Sequence, residues 1–159
     1  FPFCLNGLSL VILFMSTFPS SPFGFDITHS TILDLMSNAK GWEDRYRNVI
    51  QLGKKLPKMP EELQQENVTI SGCESKVWLQ HQVIDGVYFF CADSDARIVR
   101  GLIALVMAAV NNKTAEEIKA FDMDGYFAQL GLIEHLSPSR GNGLKAIIET
   151  INETIRSAS

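Results

Sequence analysis

The chain has 159 residues, of which 46% are apolar and 20% charged, and its formal net charge is −4. This length predicts one domain that buries a core without disulfides or a structural metal. The mild acidity argues against a surface that binds nucleic acid or an anionic membrane, because either would need a basic face. The three cysteines are too few and too scattered for a disulfide framework or a zinc site, so we expect a soluble protein of the reducing cytoplasm; they are Cys4, Cys73 and Cys91.

The first 14 residues differ in composition from the rest of the chain. Residues 8–15 resemble the apolar region of a signal peptide, but no Lys or Arg precedes them and no small-residue cleavage site follows. The run is also shorter than the roughly 20 apolar residues that span a bilayer. We therefore expect residues 1–14 to be a non-native or disordered extension and residues 15–159 to form a single domain. A membrane-contacting tail is the alternative.

Two helices are predicted after an irregular arm over residues 16–25. The first covers residues 31–38 and places Ile32, Leu35 and Met36 on one face. The second ends at Leu56-Pro57 and carries an apolar stripe, formed by Trp42, Tyr46, Val49, Ile50 and Gly53. Pro60 then suits the first position of a short helix.

Strand patterning begins after residue 67. Residues 68–70 and 76–83 are predicted strands, and Asp85-Gly86 predicts a hairpin turn into a returning strand over residues 87–91. Within the second strand, Val77, Leu79 and His81 share one face. The interruption between the first two strands contains Cys73.

The rest of the chain is predicted to be helical. Asp93 or Ser94 is the expected N-cap of a helix over residues 95–110, and its unbroken apolar run predicts burial on most of its surface. Further helices are expected over residues 115–121, behind a capping box, over residues 126–131, and from Pro138 onward. The last has an apolar stripe of Leu144, Ile147, Ile148, Ile151 and Ile155. The whole pattern predicts one α+β domain.

Cys73 is the first candidate for chemistry. It lies in a turn after Gly72, which accepts backbone conformations that few other residues adopt. Reactivity requires the thiolate, which the nearby Lys76 favours and the adjacent Glu74 disfavours. The alternative is that Cys73 is a small apolar residue that fills a gap. Cys91 follows two phenylalanines in a strand, and we expect it to be inert in the core.

The histidines provide no metal-ligand spacing, and no metal site is expected from them. They are far apart in the sequence, at His29, His81 and His135. A catalytic pair of Cys73 with His81 or His135 remains open, because such partners meet only in the folded chain.

Five blocks of sequence occur together along the chain, and they carry a family resemblance. They are Trp42-Glu43-Asp44-Arg45-Tyr46, residues 52–57, the block Ser71-Gly72-Cys73-Glu74-Ser75-Lys76-Val77-Trp78-Leu79, residues 93–102, and Leu136-Ser137-Pro138-Ser139-Arg140 with Gly143-Leu144. In order and spacing they resemble the SufE/CsdE family of sulfur-acceptor proteins, from about residue 22 to the C-terminus. The Trp-Glu-Asp block and Glu74 resemble the CsdE branch, whereas the Ser-Pro-Ser-Arg block is nearer to SufE.

The resemblance implies a two-layer α+β fold related to the NifU-like scaffold proteins, with a small three-stranded antiparallel sheet packed against helices. It implies that Cys73 accepts persulfide sulfur from a pyridoxal-phosphate-dependent cysteine desulfurase, and that the protein stimulates this enzyme. Ser71, Gly72 and Glu74 would support the loop. The protein would be a sulfur carrier without a cofactor of its own, and a cluster-assembly scaffold or another sulfur acceptor would be its downstream partner.

Three other functions compete with sulfur acceptance. An iron–sulfur scaffold needs about four ligands for each cluster, mostly thiolates, and too few cysteines are present for that. A thiol enzyme would need a histidine within hydrogen-bond reach of the Cys73 sulfur. An adaptor would bind the desulfurase without accepting sulfur.

Overall fold

The computed structural model describes residues 18–64 and 76–158. Three sequence expectations lie outside the described residues. They are the extension over residues 1–14, the strand over residues 68–70, and the turn that contains Ser71, Gly72, Cys73 and Glu74.

The described part of the chain contains six α-helices and three β-strands. In chain order they are α1 (His29–Ser37), α2 (Trp42–Lys55), β1 (Val77–Ile84), β2 (Val87–Ser94), α3 (Arg97–Val110), β3 (Lys113–Thr114), α4 (Ala115–Ala120), α5 (Met123–Leu130) and α6 (Pro138–Ala158), with 3-10 turns at Glu61–Leu63 and Ile133–His135. Helices before and after a small antiparallel sheet make an α+β fold, which confirms the predicted class.

The sheet has the strand order β1-β2-β3 and is antiparallel throughout. Asp85 and Gly86 join β1 to β2 with φ values of 53° and 79°, the left-handed backbone that a tight hairpin turn requires. The third strand, Lys113–Thr114, pairs with the start of β2. Sequence reasoning missed this strand, because two residues are too short to show an alternating pattern.

Helix α3 is the centre of the core. Twelve of its fourteen residues are buried, and the exceptions are Arg97 and Arg100 near its N-terminus. One face of the sheet packs on α3 through Val77, Leu79, Tyr88 and Phe90, whereas α2 and α6 pack on other sides of the helix. The predicted burial of residues 102–110 on most of the helix surface is confirmed.

The expected N-cap of α3 is wrong. Strand β2 continues through Ser94, and α3 begins only at Arg97 with Ala96 in the cap position. Asp93 and Ser94 are buried, and their side chains bond to other parts of the backbone. A short polar residue before a helix resembles an N-cap in sequence, but here both residues belong to the preceding strand.

The N-terminal arm is irregular where it is described, as expected, and it is also packed into the core. Phe23 is fully buried. Its carbonyl oxygen accepts a hydrogen bond from Nδ2 of Asn111 at 2.9 Å, and Oδ1 of Asn111 accepts one from the amide of Phe90 at 2.8 Å. The buried Asn111 therefore joins the arm, strand β2 and the end of α3.

Most of the other elements agree with expectation. The capping box of Thr114 with Glu117 is present, and α6 buries its predicted stripe except for the partly buried Ile148. Val77, Leu79 and His81 lie on one face of β1, as predicted, although His81 is exposed. Leu35 is 39% exposed, whereas Ile32 and Met36 of the same helix are buried. The helix expected after Pro60 is a single 3-10 turn.

Candidate functional site

Residues 65–75, which include Cys73, have a described chain end on each side. The chain leaves the described structure after Gln64 and re-enters it at Lys76, directly before β1. The end of β2 and the start of α3 contact both flanks. Residues 93–102, one of the family-like blocks, therefore form the base of this region.

On the entering side, Asp93 holds the chain that follows α2. Asp93 is 2% exposed, and its Oδ2 accepts a hydrogen bond from the amide of Met59 at 2.8 Å. Its Oδ1 forms an ion pair with Nη1 of Arg100 and accepts the amide of Ser94. Nη2 of Arg100 donates to the carbonyl oxygen of Leu56 at 2.5 Å. The pair thus fixes two points of the stretch between α2 and Gln64.

On the returning side, Ser94 and Asp95 hold Lys76. Oγ of Ser94 donates to the carbonyl oxygen of Lys76 at 2.7 Å, and Oδ1 of Asp95 accepts the Lys76 amide at 3.0 Å. The Asp95 amide also donates to the Lys76 carbonyl oxygen, at 3.3 Å. The re-entry point is therefore bonded at both its amide and its carbonyl group.

A further contact brings the entering chain onto the sheet. Nε2 of Gln80, in β1, donates to the carbonyl oxygen of Leu63 at 2.6 Å. Nε2 of Gln64 donates to the carbonyl oxygen of Met59 at 3.0 Å. Leu63, one residue before the described chain end at Gln64, therefore contacts β1, and this strand begins directly after Lys76, the other chain end.

Cys91 is a buried free thiol on the same face of the sheet as Gln80. Burial, with a smaller contribution from the charge of Asp93, raises the pKa of the Cys91 thiol to about 12. The thiolate is the nucleophilic form, so this side chain is unreactive at neutral pH. The expected position of Cys91 in the core is confirmed, and its raised pKa agrees with the expectation that it is inert.

The histidines occupy separate parts of the fold. His81 stacks near Tyr88, on the sheet face opposite to Gln80. His135 stacks on Trp42 with ring centroids 4.3 Å apart, at the end of α2 that is remote from Leu56. His29 packs edge-on against Phe121. Across residues 18–64 and 76–158, no group of three acidic, histidine or cysteine side chains could hold a metal ion.

Sequence reasoning missed the backbone-binding role of Asp93 and Arg100. The two residues are seven positions apart, on different elements, so no helical or strand period connects them. The signal that could have found them is the family-like block over residues 93–102, to which both residues belong.

The architecture defines a class of small two-layer α+β domains. A matching solved structure is the solution structure of a hypothetical protein from Thermus thermophilus, with a TM-score of 0.66 and 20% sequence identity. The likeness covers 82% of this chain and 94% of that one. At this identity the comparison establishes the fold.

Sequence comparison identifies the family. Residues 30–155 match the family described as "SufE: Fe-S metabolism associated domain", and the chain belongs to this family. It is 44% identical over 135 residues to the sulfur acceptor protein CsdE of Escherichia coli (strain K12), covering 84% of this chain and 92% of CsdE. It is also 45% identical over 124 residues to an uncharacterized SufE-like protein of Rhizobium meliloti (strain 1021), covering 76% of this chain and 89% of that protein. The resemblance is thus confirmed, and the match to CsdE supports that branch.

In residues 18–64 and 76–158, no helix combines the length and the apolar character that a bilayer span needs.

Proposed function

We propose that this protein accepts sulfur from a cysteine desulfurase, stimulates that enzyme, and passes the sulfur to an iron–sulfur scaffold or another acceptor. The observation that carries the proposal is the 44% identity with CsdE, a protein named as a sulfur acceptor, over 92% of its length. Cys73 is the proposed acceptor. Ser71, Gly72 and Glu74 are proposed to support its turn.

The proposed reaction is a displacement at sulfur. The Cys73 thiolate attacks the outer sulfur of the donor's persulfide and forms a new sulfur–sulfur bond. The donor's own sulfur–sulfur bond breaks, and the donor cysteine leaves as a thiolate. The proton of the outer sulfur stays with it, so the products are a Cys73 persulfide and a donor thiolate. No external oxidant or reductant is needed.

The arrangement of the flanks supports this role. Lys76, three positions after Cys73, is hydrogen-bonded at both its amide and its carbonyl group, and the entering chain is bonded to Asp93 and Gln80. Fixing both chain ends in advance reduces the entropy that the chain loses when its acceptor cysteine meets the donor. Burial and a pKa of about 12 disfavour the thiolate of Cys91, so we expect this residue not to compete for sulfur.

The proposal places the protein in the reducing cytoplasm, because an acceptor thiol has to stay free between encounters. Its donor is a pyridoxal-phosphate-dependent desulfurase. The protein itself acts as a carrier and activator, and the desulfurase performs the carbon–sulfur chemistry.

Desulfurase turnover tests the proposal against the adaptor alternative. Alanine release by a cysteine desulfurase would be measured with the wild-type chain, with Cys73→Ser and with Cys91→Ser as the matched control. We expect stimulation by the wild type and by Cys91→Ser, and none by Cys73→Ser. Full stimulation by Cys73→Ser would instead support a non-accepting adaptor.

A further inference from the structure

Two ion pairs occur among the described residues, and they differ in environment. Asp44 and Arg47 pair on the surface of α2, with side chains 37% and 67% exposed. Asp93 and Arg100 pair with side chains only 3% and 21% exposed. A surface pair contributes little to stability. In a buried pair, the attraction between the charges scarcely exceeds the free-energy cost of removing both from water. The burial of the second pair therefore needs an explanation other than stability.

The hydrogen bonds of the pair suggest what it does. Asp93 accepts from the Met59 amide, and Arg100 donates to the Leu56 carbonyl oxygen. Both bonds cross from β2 and α3 to a stretch more than 30 residues earlier in the chain. The planar guanidinium reaches the carboxylate and the carbonyl oxygen together, which a single ammonium group cannot do with the same geometry. The pair consequently fixes the position of residues 56–59 relative to the end of β2.

The same end of β2 holds the other flank. Ser94 and Asp95, the next two residues after Asp93, bond to Lys76. The amide of Ser94 also donates to Oδ1 of Asp93 at 2.7 Å. Residues 93–95 thus bind the chain on both sides of residues 65–75, and loss of the Asp93 bond to Met59 would release one flank relative to the other.

We propose that Asp93 and Arg100 are positioning residues, which set the spacing of the chain ends around Cys73 and so align its thiolate with the donor persulfide. This inference rests on the proposed function of Cys73. Displacement at sulfur needs the attacking thiolate in line with the breaking bond, so a small misplacement slows the transfer without preventing association. Neither residue is assigned a contact with the donor.

The test separates alignment from binding and from folding. Arg100→Lys keeps the charge but not the two-pronged contact, and Asp93→Asn removes the carboxylate. Single-turnover sulfur transfer from a persulfide-loaded desulfurase would be measured by intact mass, across a range of carrier concentrations. We expect the transfer rate at saturation to fall about tenfold for either variant, while the carrier concentration for half-saturation changes by less than about threefold. The double variant should lose no more than the worse single variant, because the two residues act together.

Three comparisons make the result decisive. Asp44→Asn, in the exposed pair, should transfer sulfur at the wild-type rate. Iodoacetamide needs no alignment with a protein partner, so it should alkylate Cys73 in Arg100→Lys at least as fast as in the wild type. Thermal unfolding monitored in parallel would show that each variant is folded at the assay temperature, and Arg100→Lys is the milder change if Asp93→Asn fails to fold.

The outcomes distinguish this inference from the proposed function. Wild-type transfer rates in folded Arg100→Lys and Asp93→Asn would overturn the positioning role and leave the acceptor role of Cys73 intact. A parallel fall in alkylation would also overturn it, since the variants would then alter the thiol itself. If the wild-type chain takes up no sulfur at Cys73, the proposed function fails, and this inference fails with it.

Discussion

Gly53 and Gly101 face each other where α2 crosses α3. A Cβ atom at Gly53 would lie 2.8 Å from the backbone nitrogen of Gly101, and one at Gly101 would meet the backbone of Val49. The two helices approach this closely because neither has a side chain at the crossing. Gly101 lies one residue after Arg100, so the crossing also fixes the part of α3 that holds the chain before residues 65–75.

The glycine contact predicts a cost for the smallest possible side chain. Gly101→Ala should lower the free energy of unfolding by about 1 to 3 kcal/mol, because the clash is with backbone that cannot rotate away. Gly141→Ala, in α6, is the matched control, since a Cβ atom there would meet nothing within 4 Å. That variant should be neutral or more stable by up to about 1 kcal/mol. Urea denaturation measures both, and equal stability of the two variants would contradict the close crossing.

Asn111 predicts a second stability effect. Asn111→Ala removes the acceptor of the buried Phe90 amide and the donor to the Phe23 carbonyl oxygen. Leaving both groups unpaired should cost about 3 kcal/mol of unfolding free energy in denaturant titration. Asn142→Ala, on the outer side of α6, should change it by less than about 0.5 kcal/mol. A loss below about 1 kcal/mol for Asn111→Ala would show that the arm is not held in this way.

Cys91 predicts a dependence of stability on alkaline pH. Its thiol pKa is raised from 9.0 to about 12 in the folded chain, so above pH 9 the unfolded state loses this proton first. The stability that the buried thiol contributes is complete below pH 9 and is lost as the pH rises towards 12. The difference in unfolding free energy between the wild type and Cys91→Ala should therefore shrink over that range. A constant difference from about pH 8 to about pH 11 would contradict the raised pKa.

Burial of Cys91 also predicts selective labelling. Iodoacetamide at about pH 8 should leave Cys91 of the folded protein unmodified and should alkylate it in concentrated denaturant, as peptide mapping by mass spectrometry would show. Modification of Cys91 under native conditions, at the rate of a free thiol, would show that the core opens readily at β2.

The sequence was sufficient for the elements with a long, regular pattern. Helix α2, the buried helix α3, the Asp85-Gly86 hairpin and the stripe of α6 were predicted close to their observed limits. Each follows from local physics, since a helical period of about 3.6 residues or a left-handed turn is visible within one short window. The missed features depend on contacts that are distant in sequence.

Asp93 illustrates this limit. In sequence it precedes a helix and so resembles an N-cap, but its carboxylate binds the amide of Met59, 34 residues earlier. The pairing of β3 with the start of β2 is similarly non-local. The chemistry proposed for Cys73 rests instead on the family-like blocks, because the residues around Cys73 allow several kinds of thiol chemistry when read alone.

The acceptor role of Cys73 is tested most directly by the intact mass of the protein after incubation with a cysteine desulfurase and cysteine. The account predicts a gain of one or more sulfur atoms that is lost on reduction, maps to Cys73, persists in Cys91→Ser and is absent from Cys73→Ser. A wild-type protein without a sulfur adduct on Cys73, under conditions in which the desulfurase itself is loaded with persulfide, would contradict it.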